Sequence, residues 1–272
     1  MSFSGSAILH RKVARDASGN LYGITEGGGN GYGTIFKVDK RGKETGLYSF
    51  TGGSDGCVPQ AGVITDVAGN LYGVAAVGGL GTCDQGYGVV FELGKSGTLS
   101  VLHTFGFGDG AYPGSVLAFD EAGNLYGTTR GGGSSACGAD GCGVVFELSP
   151  NSDGSWTEAV LYEFCSLSGC ADGEEPVSGP LVRDSKGNLY GTTFFGGTSH
   201  NCNGGNCGVV FKLDPVGKET VIHDFAGGTD GGTPAAGLIM DKFGILYGTA
   251  QSGGDRGCNP PTACGTVFKV TP

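Results

Sequence analysis

Gly123-Asn124-Leu125-Tyr126-Gly127-Thr128-Thr129 decides how this chain is read, because the phrase returns four more times with small changes. The other copies stand at 19–23, 69–73, 187–191 and 244–248, the last with Ile245 where the others carry asparagine. Each copy is followed by a glycine-rich gap and a second phrase of valine, phenylalanine and a charged residue, at 33–38, 88–93, 143–148, 208–213 and 265–270. A phrase pair repeating at roughly 50 to 65 residues marks tandem supersecondary units, which must be recognised before any local structure is assigned.

Within a unit, four strand-like runs are bounded by Gly, Asp or Pro. They are 60–66, 70–76, 88–93 and 98–105 in the second unit, 115–120, 124–130, 143–148 and 157–164 in the third, and 179–184, 188–194, 208–213 and 219–225 in the fourth. Alternation in the outermost run places Val101, His103 and Phe105 on one side and Leu102 and Thr104 on the other. No stretch carries a helical period. These features predict an all-β fold, a five-bladed β-propeller of four-stranded antiparallel blades. The fifth unit stops after its third run, and Ser2-Phe3-Ser4-Gly5 is similar to Ser49-Phe50-Thr51-Gly52 at the end of an outermost run. The N-terminal strand is therefore expected to pair in the last blade and close the ring, which removes exposed edges. The chain is one domain of five repeats, roughly 6–50, 51–105, 106–164, 165–225 and 226–272 plus 1–5.

Composition narrows the function classes. The chain has 272 residues, 58 of them glycine, a formal net charge of −10 and no Lys/Arg cluster. Nucleic-acid binding requires a basic face that releases counterions, and polybasic attachment to a membrane surface requires the same residues. Glycines at fixed places beside Leu, Tyr, Val and Phe are turn chemistry in a folded protein. No leader peptide, membrane-spanning run or sorting tail is visible, so a secreted form would have lost its leader, with Met1 an added start.

Ten cysteines fall mostly into close pairs, Cys137/Cys142, Cys165/Cys170, Cys202/Cys207 and Cys258/Cys264, leaving Cys57 and Cys83 in neighbouring loops and expected to bond to each other. An even count in polar loops points to disulfides and an oxidising, extracellular compartment. The alternative, zinc, lacks a matching second pair or a nearby histidine, and no metal is expected from these residues. Asp16, Asp66, Asp120 and Asp184 each open a short turn closed by glycine, and are read as structural. The longer loops, with all ten cysteines, gather on the opposite face.

With the repeat laid out, G-N-L-Y-G-T-T at 123–129 followed by G-V-V-F-E-L at 143–148 resembles the GloVer-type tandem repeat of choice-of-anchor surface proteins. The resemblance covers the whole chain and implies an exported or surface-anchored bacterial protein. It supplies no catalytic residues to transfer.

Candidate chemistry is sparse. Histidine occurs at 10, 103, 200 and 223; His103 and His223 share a position with Tyr48 and Tyr162, which reads as packing, while His200, in a long loop beside Cys202 and Cys207, is a candidate ligand-binding residue. No zinc-protease, nucleophile-elbow, phosphate-loop or dinucleotide motif is present. Asp55, Asp109, Asp172 and Asp230 each precede glycine between units, and could form a ring of carboxylates for calcium or sugar hydroxyls, or cap their own turns. Positions where the copies disagree are free to build a site. Directly after the second run stand Glu26, Ala76 with Val77, Arg130, Phe194 with Phe195, and Gln251 with Ser252. This asymmetric set suits one polar ligand with a stackable face, and carbohydrate is the expected class. A glycosidase would instead need two carboxylates roughly 5 to 10 Å apart, which Glu26 with Asp84, Asp140, Asp255 or Glu174 could supply. The expectations are thus a secreted carbohydrate-binding propeller, an extracellular enzyme at the central mouth, or a surface module for a protein partner.

Overall fold

The computed structural model describes residues 12–177, 179–202, 205–254 and 264–272. Among them, strands form five antiparallel sheets, each made by one sequence unit, with two three-residue 3-10 turns as the helical content. The second sheet runs Ile64–Thr65, Leu71–Ala75, Val89–Leu93 and Leu99–Thr104 in spatial order, the first, third and fourth units follow the same up-and-down path, and the fifth contributes its first three strands among the described residues. Four core clusters each draw on two consecutive units, so the apolar interior lies between neighbouring sheets in a propeller-like arrangement.

The two recurring phrases meet at a glycine. In all five sheets the glycine of Leu-Tyr-Gly pairs with the phenylalanine of the next strand, as Gly127 does with Phe146. That ring lies over the glycine so closely that a Cβ on Gly127 would fall 2.5 Å from Phe146 Cζ. Glycine is required there by space. The other face of the ring receives a phenylalanine from the preceding unit: Phe50 on Phe91, Phe105 on Phe146, Phe164 on Phe211 and Phe225 on Phe268, with centroids 5.0 to 5.3 Å apart in edge-to-face geometry. Such pairs add about 0.5–1.5 kcal/mol beyond the area they bury.

A second contact repeats beside the first. Gly33, Gly88, Gly143 and Gly208 have φ between +82° and +111°, and their carbonyls accept the amides of Phe50, Phe105, Phe164 and Phe225. A Cβ at any of them would sit 2.4 to 2.9 Å from Cδ of Pro59, Pro113, Pro176 or Pro234 in the next unit. The residue before each of these glycines accepts an amide from the next unit: Val58 to Tyr32, Tyr112 to Tyr87, Glu175 to Cys142 and Thr233 to Cys207, at 2.7 to 3.1 Å.

The Asp-to-Asn-Leu-Tyr spacing is explained by one carboxylate. Asp120 Oδ1 accepts the Asn124 amide, while Oδ2 accepts the Asn124 side chain and the Tyr126 hydroxyl. Asp16, Asp66 and Asp184 repeat the arrangement. Asp241 keeps the backbone and tyrosine bonds, which is how the fifth unit tolerates Ile245.

Two expectations about strands are corrected. The innermost strand of the third unit, expected at 115–120, is split into Ala111–Pro113 and Ala118–Phe119, both on Leu125–Gly131, with the register slipping by two residues between them. The fourth and fifth units are split likewise. Proline and the left-handed residue before it break the ladder, and Ser115 Oγ fills the gap by accepting the Thr128 amide. Strict alternation in the outermost strand also fails, because a bulge between Val90 and Phe91 sets Val101 and His103 in the register with Leu102 inserted, and leaves Val101 38% exposed while Phe105 is fully buried. The expected clasp of residues 1–5 lies outside the described residues.

Four disulfides match the sequence pairing: Cys57–Cys83, Cys137–Cys142, Cys165–Cys170 and Cys202–Cys207. Cys264 is also disulfide-bonded, and Cys258 lies outside the described residues. Phe146→Ala should destabilise the protein by about 3–5 kcal/mol in urea unfolding, because it empties a junction between two sheets. Phe243→Ala, at a ring 76% exposed, should change stability by less than about 0.5 kcal/mol.

Candidate functional site

Antiparallel pairing brings the ends of the second strands and the starts of the innermost strands to one rim. A cavity of about 700 Å³ opens there, within the size range of small-molecule sites. All five units contribute to its wall. Glu26, Ala76 with Val77, Arg130, Phe194 with Phe195, and Gln251 line it from the ends of the second strands. His200 is exposed and is not among the lining residues. Of the carboxylates considered as partners for Glu26, Asp84 and Asp140 are exposed and Glu174 is half-buried, none of them in the wall, and Asp255 lies outside the described residues. Among the described residues the lining carboxylates are Glu26 and Glu175.

Glu175 belongs to a set that sequence reasoning missed. Val58, Tyr112 and Glu175 line the cavity, and with Thr233 they share a left-handed backbone, φ +48° to +58°, directly before a proline. Proline disfavours helical conformations in the preceding residue, and a β-branched side chain makes positive φ costlier still. Each such residue stores about 1–3 kcal/mol of strain. The geometry turns its amide toward the neighbouring unit, where the hydrogen bond described above receives it. The signal was in the sequence: four prolines at one repeat position, preceded by Val, Tyr, Glu and Thr, a fixed frame with a variable residue.

Glu175 also fixes a cation. Arg130 Nε donates to Glu175 Oε2 at 3.0 Å, with the arginine side chain 69% exposed at the cavity mouth. Phe194 and Phe195 stand beside it, ring centroids 4.7 Å apart and nearly perpendicular. Burial and the neighbouring Glu175 raise the Glu174 carboxyl above its ordinary range. Among the described residues the wall carries two cations, Lys12 and Arg130, and two carboxylates, Glu26 and Glu175, so their charges balance.

The repeated inter-unit aspartates are occupied by their own turns. Asp55 accepts the Thr51 and Gly53 amides and the Tyr48 hydroxyl. Asp172 accepts from Ser166, Leu167 and Tyr162, Asp109 from Gly106 and His103, and Asp230 from Ala226 and faces His223. Tyr48, His103, Tyr162 and His223 thus share one place, each stacked edge-on to a phenylalanine two residues on. This is the turn-capping alternative, and it leaves these carboxylates little capacity for calcium. Among the described residues, groups able to offer a metal three ligand atoms are His103–Asp109–Glu158 and the disulfide-bonded Cys137–Cys165–Cys170, neither in the cavity wall.

The fold and its rim cavity define a propeller-like, tandem-repeat β protein with a pocket to which all five units contribute. The chain belongs to the Gloeobacter/Verrucomicrobia repeat family, whose model matches residues 2–170 and again 135–272. A search of curated protein sequences gave no match. Solved structures share the fold at low identity. A luciferin-regenerating enzyme superposes with a TM-score of 0.58 at 14% identity, covering 98% of this chain and 79% of its own. A protein assigned as a gluconolactonase gives 0.55 at 16%, covering 96% and 73%. A gluconolactonase of Xanthomonas campestris gives 0.53 at 17%, covering 89% and 68%.

Two carboxyls between sheets set a pH dependence. Burial, and then Asp172, pushes Glu219 up to about 7; burial and Asp109 do the same to Glu158. The folded protein therefore keeps protons that the unfolded chain releases near its ordinary carboxylate range. Their stabilisation is complete below that range and is lost as pH rises through about 7. In the opposite sense, hydrogen bonds led by the Asn20 side chain hold Asp16 down to about 2, so its contribution fades only in strong acid. The melting temperature should be higher at about pH 5 than at about pH 8. Glu219→Gln should flatten that difference, and an equal slope in the variant would refute the assignment.

Proposed function

We propose that the chain is a closed five-bladed propeller of the cell exterior that binds a neutral, polyhydroxylated ligand of the carbohydrate class in its rim cavity. The carrying observation is the wall itself, to which five otherwise repetitive units bring different side chains: Glu26, Val77, Arg130, Phe194 and Gln251. A ring of equal weak sites would have kept these positions alike. Amide, carboxylate and guanidinium groups match hydroxyls, and Phe194 and Phe195 offer apolar faces for a sugar ring. Balanced charge in the wall favours a neutral ligand over an anionic one. Disulfides in the rim loops accord with export to an oxidising compartment.

A second reading is hydrolysis of a sugar lactone. It is favoured by the likeness to proteins named gluconolactonases together with two carboxylates, Glu26 and Glu175, in one wall. Calorimetric titration against a panel of neutral mono- and oligosaccharides, with gluconolactone turnover followed in parallel, separates the two. The binding reading expects saturable affinity for at least one sugar, weakened by about tenfold or more in Phe194→Ala and Arg130→Ala without loss of fold. Turnover abolished by Glu26→Gln would replace it with the enzyme reading. Neither binding nor turnover would remove both.

A further inference from the structure

A second place on the molecule gathers ligand chemistry that the cavity does not use. His103 comes from the outer strand Leu99–Thr104 of the second sheet, Asp109 from the turn that follows, and Glu158 from the outer strand Trp156–Glu163 of the third sheet. One donor atom from each lies within 4.8 Å of the other two. His103 Nε2 and Asp109 Oδ2 are 3.1 Å apart, with side chains 19% and 30% exposed, so ions in solution can reach them. Glu158 Oε1 is buried and has no hydrogen-bond partner. A buried carboxylate oxygen without a donor is costly, and a cation relieves that cost.

We propose that His103, Asp109 and Glu158 form a site for a divalent transition-metal ion, best suited to Zn²⁺, that ties the second sheet to the third. One imidazole and two carboxylates make a borderline donor set. Imidazole favours zinc and its neighbours, whereas magnesium and calcium take oxygen ligands alone. Ligand atoms around tetrahedral zinc lie about 3.3 Å apart, given bonds of about 2.0–2.1 Å, a contraction within reach of side-chain rotation. The fourth position falls to water.

The repeat provides an internal control. One unit further on, Tyr162, Asp172 and Glu219 hold the corresponding places: Tyr162 donates to Asp172 at 2.7 Å, and Glu219 Oε1 is again buried without a partner. These two junctions therefore share the carboxyl pair, whereas Leu99 holds the place of Glu158 at the first–second junction, and the imidazole is what distinguishes the metal site. Among the described residues, the second–third junction is where a histidine meets both acids.

The test uses the full chain, stripped with a chelator and titrated with Zn²⁺ by calorimetry and with Co²⁺ by visible absorption at about pH 7.5. The expected result is one equivalent of Zn²⁺, a raised melting temperature and the intense bands of tetrahedral Co²⁺. His103→Tyr installs the residue found at the sister position and should preserve the fold. It should weaken binding by about tenfold or more, as should Glu158→Gln, since even outer partners of a metal ligand are worth that much. Tyr162→His should add a second equivalent. No stoichiometric binding by the wild type, or binding unchanged in His103→Tyr, would overturn the site.

Discussion

The junction between consecutive sheets is the contact on which everything else rests. A phenylalanine from the end of one unit meets, edge to face, the phenylalanine that lies over the glycine of the next unit's second strand. Beside it, a left-handed glycine is closed off by the following unit's proline. The apolar face of a sheet must be buried against another element, and each core cluster here is completed only by the neighbouring unit. The glycine content thus reports close approach at fixed points, where a Cβ would strike a ring or a proline.

This arrangement separates the two rims by purpose. Turns between the first and second strands are held by one aspartate, one asparagine and one tyrosine, and have no freedom to vary without losing hydrogen bonds. At the other rim, the residue at the end of the second strand and the residue before each proline have their backbones fixed while their side chains are unconstrained by the sheet. Those two positions supply the cavity's variable side chains from Glu26 to Gln251 together with Val58, Tyr112 and Glu175, beside Lys12 and the starts of the innermost strands. Strain at Val58, Tyr112 and Glu175 is retained because each amide is spent on the inter-unit bond that holds the neighbouring sheet in place.

Buried carboxyls follow a similar division. Asp55, Asp109 and Asp172 are satisfied by their own turns, whereas Glu158 and Glu219 reach across from the next sheet and meet carboxylates without compensating donors. The sheets are therefore joined by apolar contacts along most of their length and by a strongly conditional polar contact near the outer strands, one sensitive to protons and, at His103, open to a metal.

The sequence by itself determined the five units, their strands, the pairing of Cys57 with Cys83 and of three close cysteine pairs, and the variable positions from Glu26 to Gln251. Periodicity carries this information directly, because a repeated phrase must fill a repeated environment and a residue that escapes the pattern is free of it. Only the tertiary structure decided that those variable residues share one cavity with Glu175, that the innermost strands are split at proline, and that Glu158 faces His103 and Asp109. Each of these depends on how one unit is set against the next, and that setting follows from ring contacts between residues 41 to 47 positions apart and glycine–proline contacts 25 to 33 apart, distances over which no local pattern reports geometry.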